Sequence, residues 1–309
     1  MTAPTPQNPG LANWLLILLL GVIWGSAFMG VSTALGGYGP WTVAAGRVLF
    51  GALVLAAIGA ATNQPIYRLG SRRAWGFAVY IGIFALALPF SLLSVALQHV
   101  PSAFAGVAMG AVPLLILPLV AIFSPEEGIG PRRVAGLVLG FVGLVVLIGP
   151  GAFDSKGSDY AIWARLAVFG AAAAYAVGSV VTRRSPKMPA VAFAGASLAA
   201  GTCVLVPVAL IVEGVPEYST PVATLGLLYT AAFPTAIATV LRVKVITTAG
   251  SMFMSMVSYM VPVWAVLFGI AIMGEDLPPQ LFIALGLILA GIGLAQSRAI
   301  LTAIRARWV

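Results

Sequence analysis

The sequence predicts an all-α integral membrane protein of ten transmembrane helices, arranged as two five-helix repeats in opposite orientation. Three observations carry that expectation: the composition, a succession of long apolar runs, and an internal repeat. Of the 309 residues, 61% are hydrophobic and only 8% are charged, with a mean hydropathy of +1.07. A soluble domain carries roughly 25% charged residues, so the chain falls in the membrane class before any motif is considered.

The apolar runs are long enough, since a spanning helix needs about 20 such residues. Spans are expected at 12–34, 40–61, 74–97, 102–123, 132–149, 160–181, 189–212, 222–244, 249–273 and 281–299. Turn residues punctuate them. Gly36-Gly37-Tyr38-Gly39-Pro40 separates the first two, and Pro131, Pro189 and Pro221 stand near span starts, where a missing N–H is harmless. Residues 1–14 hold no Lys or Arg and the apolar run continues to about Leu35, so the first segment reads as a retained helix rather than a signal peptide.

The net charge of +8 does not indicate a nucleic-acid surface, because the basic residues lie in short clusters between apolar runs. Thirteen of the 16 Lys and Arg fall on the side of the N-terminus, and Arg47, Lys156 and Arg165 fall on the other. That asymmetry places both termini in the cytoplasm. Cys203 is the one cysteine. It allows no internal disulfide, and within an apolar run it reads as a small packed side chain.

Shifted by 149 residues, the chain matches itself. Pro40 meets Pro189, Gly46 meets Gly195, Tyr80 meets Tyr229, Phe84 meets Phe233, Ser102 meets Ser251 and Pro113 meets Pro262. Glu126-Glu127 meets Glu275-Asp276; after one insertion the shift becomes 150, and Gly136, Leu139 and Gly143 meet Gly286, Leu289 and Gly293. The repeats divide the chain at 1–150 and 151–309. Five helices per repeat force the second to start on the opposite side. Inverted repeats are a recurrent transporter architecture, with the solute site near the midplane.

At these residues the chain resembles the EamA-type branch of the drug/metabolite transporter superfamily. The resemblance rests on Trp24-Gly25, on Arg47, and on the segment Ser102–Pro113–Glu126 with its copy Ser251–Pro262–Glu275, the proline-to-glutamate spacing being 13 in both. Within the branch it is most similar to bacterial exporters of aromatic amino acids. The resemblance implies a central cavity, a bacterial inner membrane and export of metabolites. One departure stands out: the second half has Tyr175-Ala176 and Ala196 where the first has Trp24-Gly25 and Arg47.

Candidate site residues follow from polarity inside spans. Tyr80, Phe84, Ala87, Ser91, Ser94 and Gln98 recur in steps of four and three, which puts them on one helical face. That face is expected to line a cavity, although Ser and Tyr also serve in helix seams. Ser102, Gly106, Met109 and Pro113 form a small-residue face in the fourth span, and Ser251, Ser255, Ser258 and Pro262 form one in the ninth. Pro113 and Pro262 are expected to bend their helices and act as hinges. Arg47 lies about 10 Å inside the membrane from its Pro40 end. A guanidinium there could anchor a solute anion, clamp helix-end carbonyls, or snorkel outward. His99 can titrate near neutrality, though a histidine at a helix end is commonly an interface residue. Trp24, Trp163, Tyr175, Tyr229 and Tyr259 offer π-faces to an aromatic solute or a cation. Trp41 and Trp308 read as interface anchors, and Glu126 and Glu275 as carboxylates serving the N–H groups of a nearby helix start.

These features point to a non-enzymatic transporter of small amphipathic solutes, aromatic or other apolar amino acids foremost, working by alternating access as a uniporter. A lipid-linked solute flippase and a multidrug organic-cation exporter are the alternatives. No HExxH, no paired intramembrane carboxylates and no Ser–His or Cys–His motif is present, so an intramembrane enzyme ranks last. All eight acidic residues fall in predicted loops or at helix edges, which argues against a proton relay. The expected partners are a small-molecule solute and the lipid bilayer, with no cofactor, metal or nucleic acid; a monomer is compatible with this reading.

Overall fold

A computed structural model of the chain describes residues 10–123, 130–148, 159–186, 188–249, 251–295 and 297. Among them every regular element is a helix. Eight helices are long and apolar enough to cross a bilayer. They are α1 (Gly10–Gly25 and Ala27–Leu35), α2 (Pro40–Ala61), α3 (Arg72–Tyr80, Ile81–Ala87 and Leu88–Ala96), α4 (Ser102–Gly110 and Val112–Phe123), α5 (Pro131–Ile148), α6 (Asp159–Arg183), α7 (Ala190–Val212) and α8 (Pro221–Thr230, Ala231–Ile237 and Ala238–Ala249). Two shorter apolar helices follow, α9 (Ser251–Met254 and Val257–Ala271) and α10 (Pro279–Ala295).

Leu15, Leu53, Val138, Phe141, Ile211 and Ile283 are exposed on the outer faces of these helices. Large apolar side chains exposed in this number suit hydrocarbon rather than water. Cys203 belongs to this exposed set, which corrects the expectation that it is packed.

Three helices pack extensively on the helix that copies them in the internal repeat: α2 on α7, α4 on α9 and α5 on α10. Glycine makes the last two crossings close. A Cβ on Gly136 would lie 2.5 Å from the Gly291 carbonyl oxygen, and one on Gly110 would lie 2.2 Å from Pro262 Cγ. Without hydrophobic drive between helices in lipid, such backbone approach supplies the dispersion contact that holds them.

Two carboxylates tie sequence-distant helices together. Glu275, after α9, accepts from the N–H groups of Ser102 (2.6 Å) and Ala103 (3.1 Å) at the start of α4. Glu213, after α7, accepts from Trp41 (2.9 Å) and Thr42 (2.8 Å) at the start of α2. Each satisfies two of the donors that a helix leaves free at its N-terminus. The carboxylate of Glu275 therefore serves a helix start, that of α4 rather than of α10, which follows it in sequence. Glu126 and Trp308 lie outside the described residues.

The expected hinges fall unequally. The interruption of α4 is at Ala111, two residues before Pro113. In α9 it falls at Ser255 and Met256, ahead of Pro262, which sits inside a continuous helix against Gly110. The bend expected at Pro262 is thus displaced toward the start of α9.

Candidate functional site

The polar centre of the molecule grows out of a backbone irregularity in α8. Proline has no N–H, so Pro234 cannot supply the donor that an α-helix would give the Thr230 carbonyl. The segment Ala231–Ile237 answers by winding as a π-helix, in which each carbonyl is bonded five residues on. The hydroxyl of Thr235 also donates to the Thr230 carbonyl oxygen, at 2.9 Å. At the end of the turn the Ala238 N–H returns to Phe233. The carbonyl of Pro234 is thereby released, and the Trp24 indole Nε1–H takes it at 3.1 Å.

A second contact with α1 stands beside the first. Ser26, in the break between the two parts of α1, donates to Ile23 O at 3.0 Å, so its Oγ is left to accept from the Tyr229 hydroxyl at 2.5 Å. Tyr229 in turn stacks on Phe233, centroids 5.3 Å apart.

Arg47 enters from α2. Its Nε donates to Thr235 Oγ1 at 2.9 Å, an oxygen already committed as a donor to Thr230 and therefore free to accept. The guanidinium carbon stands 3.8 Å from the centroid of Phe90, over the ring face. Phe90 is 6.4 Å from the ring of Tyr175, which lies within electrostatic reach of the same guanidinium. With only 8% of its surface exposed, Arg47 does not snorkel to the outer surface. Among the described residues no carboxylate stands against it.

The structure thus brings Trp24, Arg47, Tyr175 and Tyr229 into one neighbourhood and adds Ser26, Phe90, Thr230 and Thr235. Thr230 and Thr235 carried a readable signal, since they flank a proline inside an apolar span. Phe90 carried none, being one apolar residue among many.

The stripe on α3 is not one face. A π-helical segment, Ile81–Ala87, interrupts it and breaks the 3.6-residue register on which the spacing argument relied. Tyr80 and Phe84 are 36% and 49% exposed and pair with each other at 5.0 Å. Ser91 and Ser94 are buried, and Ser91 Oγ donates to its own helix at Ala87 O (2.9 Å). Gln98 and His99 are exposed beyond the end of the helix. Trp163 is 68% exposed.

Tyr259 lines a different space. An apolar cavity of about 250 Å³ between α1 and α9 is walled by Trp14, Ile17, Met256, Tyr259 and Met260. The Tyr259 hydroxyl is buried without a hydrogen-bond partner among the described residues. Ser255 stands at the break of α9, and the Ser251 side chain lies outside what the structure describes. Among the described residues no group of His, Cys, Asp and Glu could hold a metal.

A membrane-spanning bundle with an interrupted pair of helices around a polar centre defines a class of solute transporter. The family model described as the EamA-like transporter family matches the chain twice, over residues 12–149 and 162–296. The chain belongs to the EamA-like transporter family. It is similar to the uncharacterized inner membrane transporter YedA of Escherichia coli K12, with 27% identity over 277 residues, 88% of this chain and 86% of that one. A shorter stretch of 104 residues is 36% identical to the aromatic amino acid exporter YddG of Ancylobacter novellus, covering 34% of this chain and 36% of that one. A solved structure, described only as the crystal structure of a protein, superposes with a TM-score of 0.69 at 25% identity, covering 96% of this chain and 99% of its own.

Proposed function

We propose that the chain exports small amphipathic metabolites, aromatic and other apolar amino acids foremost, across a bacterial inner membrane. It works by alternating access, as a uniporter, through two inverted five-helix halves, 1–150 and 151–309. Both termini lie in the cytoplasm. Several observations support this architecture: the family model matching in two copies, the packing of α2, α4 and α5 on their own copies, and the 13-to-3 division of basic residues. The names of YedA and YddG support the inner membrane, the direction and the solute class.

The observation that carries the proposal is the cluster at the π-helical turn of α8. Aromatic faces, hydroxyls and a guanidinium converge there from α1, α2, α3, α6 and α8, and no described carboxylate joins them. The same composition supports the uniport reading. Glu213 and Glu275 are engaged with helix ends, so no acidic relay crosses the described part of the bundle.

Purified protein in liposomes, loaded in turn with labelled phenylalanine, tyrosine, tryptophan and aliphatic amino acids, tests the reading. The expected outcome is saturable flux of the aromatic set down its own gradient, unaffected by an imposed pH or sodium gradient. Accumulation above the external concentration that collapses with a protonophore and is lost in His99→Ala would replace uniport by proton coupling. Absence of flux for the whole panel would remove the assignment.

A further inference from the structure

We infer that Arg47 binds the carboxylate of the solute, so that the transported species must carry an anionic group and organic cations lacking one are rejected. This rests on the transporter reading above and narrows its solute class.

A guanidinium has five N–H donors and no acceptor. Here Nε is spent on Thr235 Oγ1. The four N–H groups on Nη1 and Nη2 find no hydrogen-bond partner among the described residues, and neither nitrogen is sealed from accessible space. Two structural roles for Arg47 are thereby answered. A clamp on helix-end carbonyls would spend the Nη groups on backbone oxygens, and none among the described residues receives them. A snorkelling side chain would be exposed, and this one is buried.

What remains is a held cation with an open fork. The Nε bond fixes the side chain at one edge, and the face of Phe90 at 3.8 Å fixes it from one side. Thr235 Oγ1 gives its own proton to Thr230 O and accepts from Arg47, so both sides of that hydroxyl are engaged. A buried charge without a counter-ion is costly, and it is kept in the first half while its copy position holds Ala196. A carboxylate matches the fork with two parallel charge-assisted bonds, and the ring of Tyr175 stands beyond Phe90 at 6.4 Å. The same fixed positive charge repels an ammonium ion that brings no carboxylate with it.

The experiment pairs solutes that differ only in the carboxyl group: phenylalanine, tyrosine and tryptophan against phenethylamine, tyramine and tryptamine, with phenylalaninamide as a third arm. Flux into liposomes and thermal stabilisation in detergent are read for the wild type, Arg47→Lys and Arg47→Gln. The wild type is expected to favour acids over amines by at least about tenfold. Arg47→Gln should lower acid flux by about that factor and leave amine flux unchanged or higher, with Arg47→Lys between. Equal handling of acids and amines by the wild type overturns the inference, as does an equal loss of both in a folded Arg47→Gln. If Arg47→Gln fails to fold, the wild-type acid-to-amine ratio decides alone. If no aromatic solute moves at all, the exporter reading fails first. Stabilisation by other carboxylates, lost in Arg47→Gln, would then still uphold an anion site, and its absence would end both.

Discussion

The π-helical turns of α3 and α8 occupy copy-related places in the chain, yet they are put to different use. In α8 the turn contains Pro234 and is flanked by Thr230 and Thr235, and it hands a carbonyl to Trp24 and a hydroxyl oxygen to Arg47. In α3 the turn Ile81–Ala87 has no polar side chain, and its proline, Pro89, comes after it. The Leu88 N–H returns to Ile83, which releases the Phe84 carbonyl as the other turn releases that of Pro234. No side chain among the described residues takes it. The first turn is used for packing instead: a Cβ on Gly82 would lie 2.2 Å from the Ser197 carbonyl oxygen of α7. One backbone irregularity thus builds a close crossing in one half and a polar site in the other. The sequence repeats nearly in register, and the described polar contacts gather at one of the two turns.

The strongest way to break this asymmetry is to install the cation in both halves. Ala196, the copy of Arg47, is 1% exposed and packs among Leu69, Ala74 and Ala78. Ala196→Arg places a guanidinium there with no acceptor equivalent to Thr235. Such an unpaired buried charge costs about 3–5 kcal/mol, so the expected outcome is loss of folded protein, read as monodisperse yield and thermal transition. A well-folded, active variant would show that the two places are interchangeable.

A smaller effect is expected at the indole. Trp24→Phe keeps the ring and removes the donor to the Pro234 carbonyl. Leaving that buried acceptor without its partner costs about 1–3 kcal/mol. Tyr175 is the aromatic residue that the corresponding span of the second half offers, but its ring is spent on Phe90, and no described bond ties its hydroxyl to the turn of α3. Tyr175→Phe should therefore be milder in stability than Trp24→Phe. The reverse order would place the supported turn in α3.

Much of the fold was legible because membrane insertion imposes a coarse code. Apolar runs and the prolines at their edges placed α2 at Pro40–Ala61, as the structure has it, and most other helices within a few residues. α8 is the exception, running to Ala249 through Arg242 and Lys244 and past the expected end at 244. The cluster was legible only in part. Trp24, Arg47, Tyr175 and Tyr229 stood out as polar or aromatic groups inside spans. The face of α3 was misjudged because spacing arguments assume a uniform 3.6-residue turn, and nothing in Ile81-Gly82-Ile83-Phe84-Ala85-Leu86-Ala87 announces a wider one. Phe90 escaped because its role comes from the guanidinium above it, a relation that only three dimensions reveal.

The mildest test compares the two tyrosines that precede the turns. Tyr229 donates to Ser26 Oγ at 2.5 Å and stacks on Phe233. Tyr80 pairs with Phe84 at a tilt of 38° but is about a third exposed, and no described hydrogen bond holds its hydroxyl. Removing the hydroxyl of Tyr229 takes one bond from a partly buried pair, while Ser26 keeps its bond to Ile23 O. The cost of Tyr229→Phe should be about 1 kcal/mol, and that of Tyr80→Phe within about 0.5 kcal/mol, as at other exposed sites. Flux should follow the same order, because Tyr229 joins the α1 break to the turn that holds Arg47, whereas no described hydrogen bond links Tyr80 to another helix. Denaturation in detergent and flux in liposomes, measured on both variants, read the difference. If Tyr80→Phe altered solute selectivity more than Tyr229→Phe, the solute path would run along α3, and the functional asymmetry drawn from the two turns would be the wrong way round.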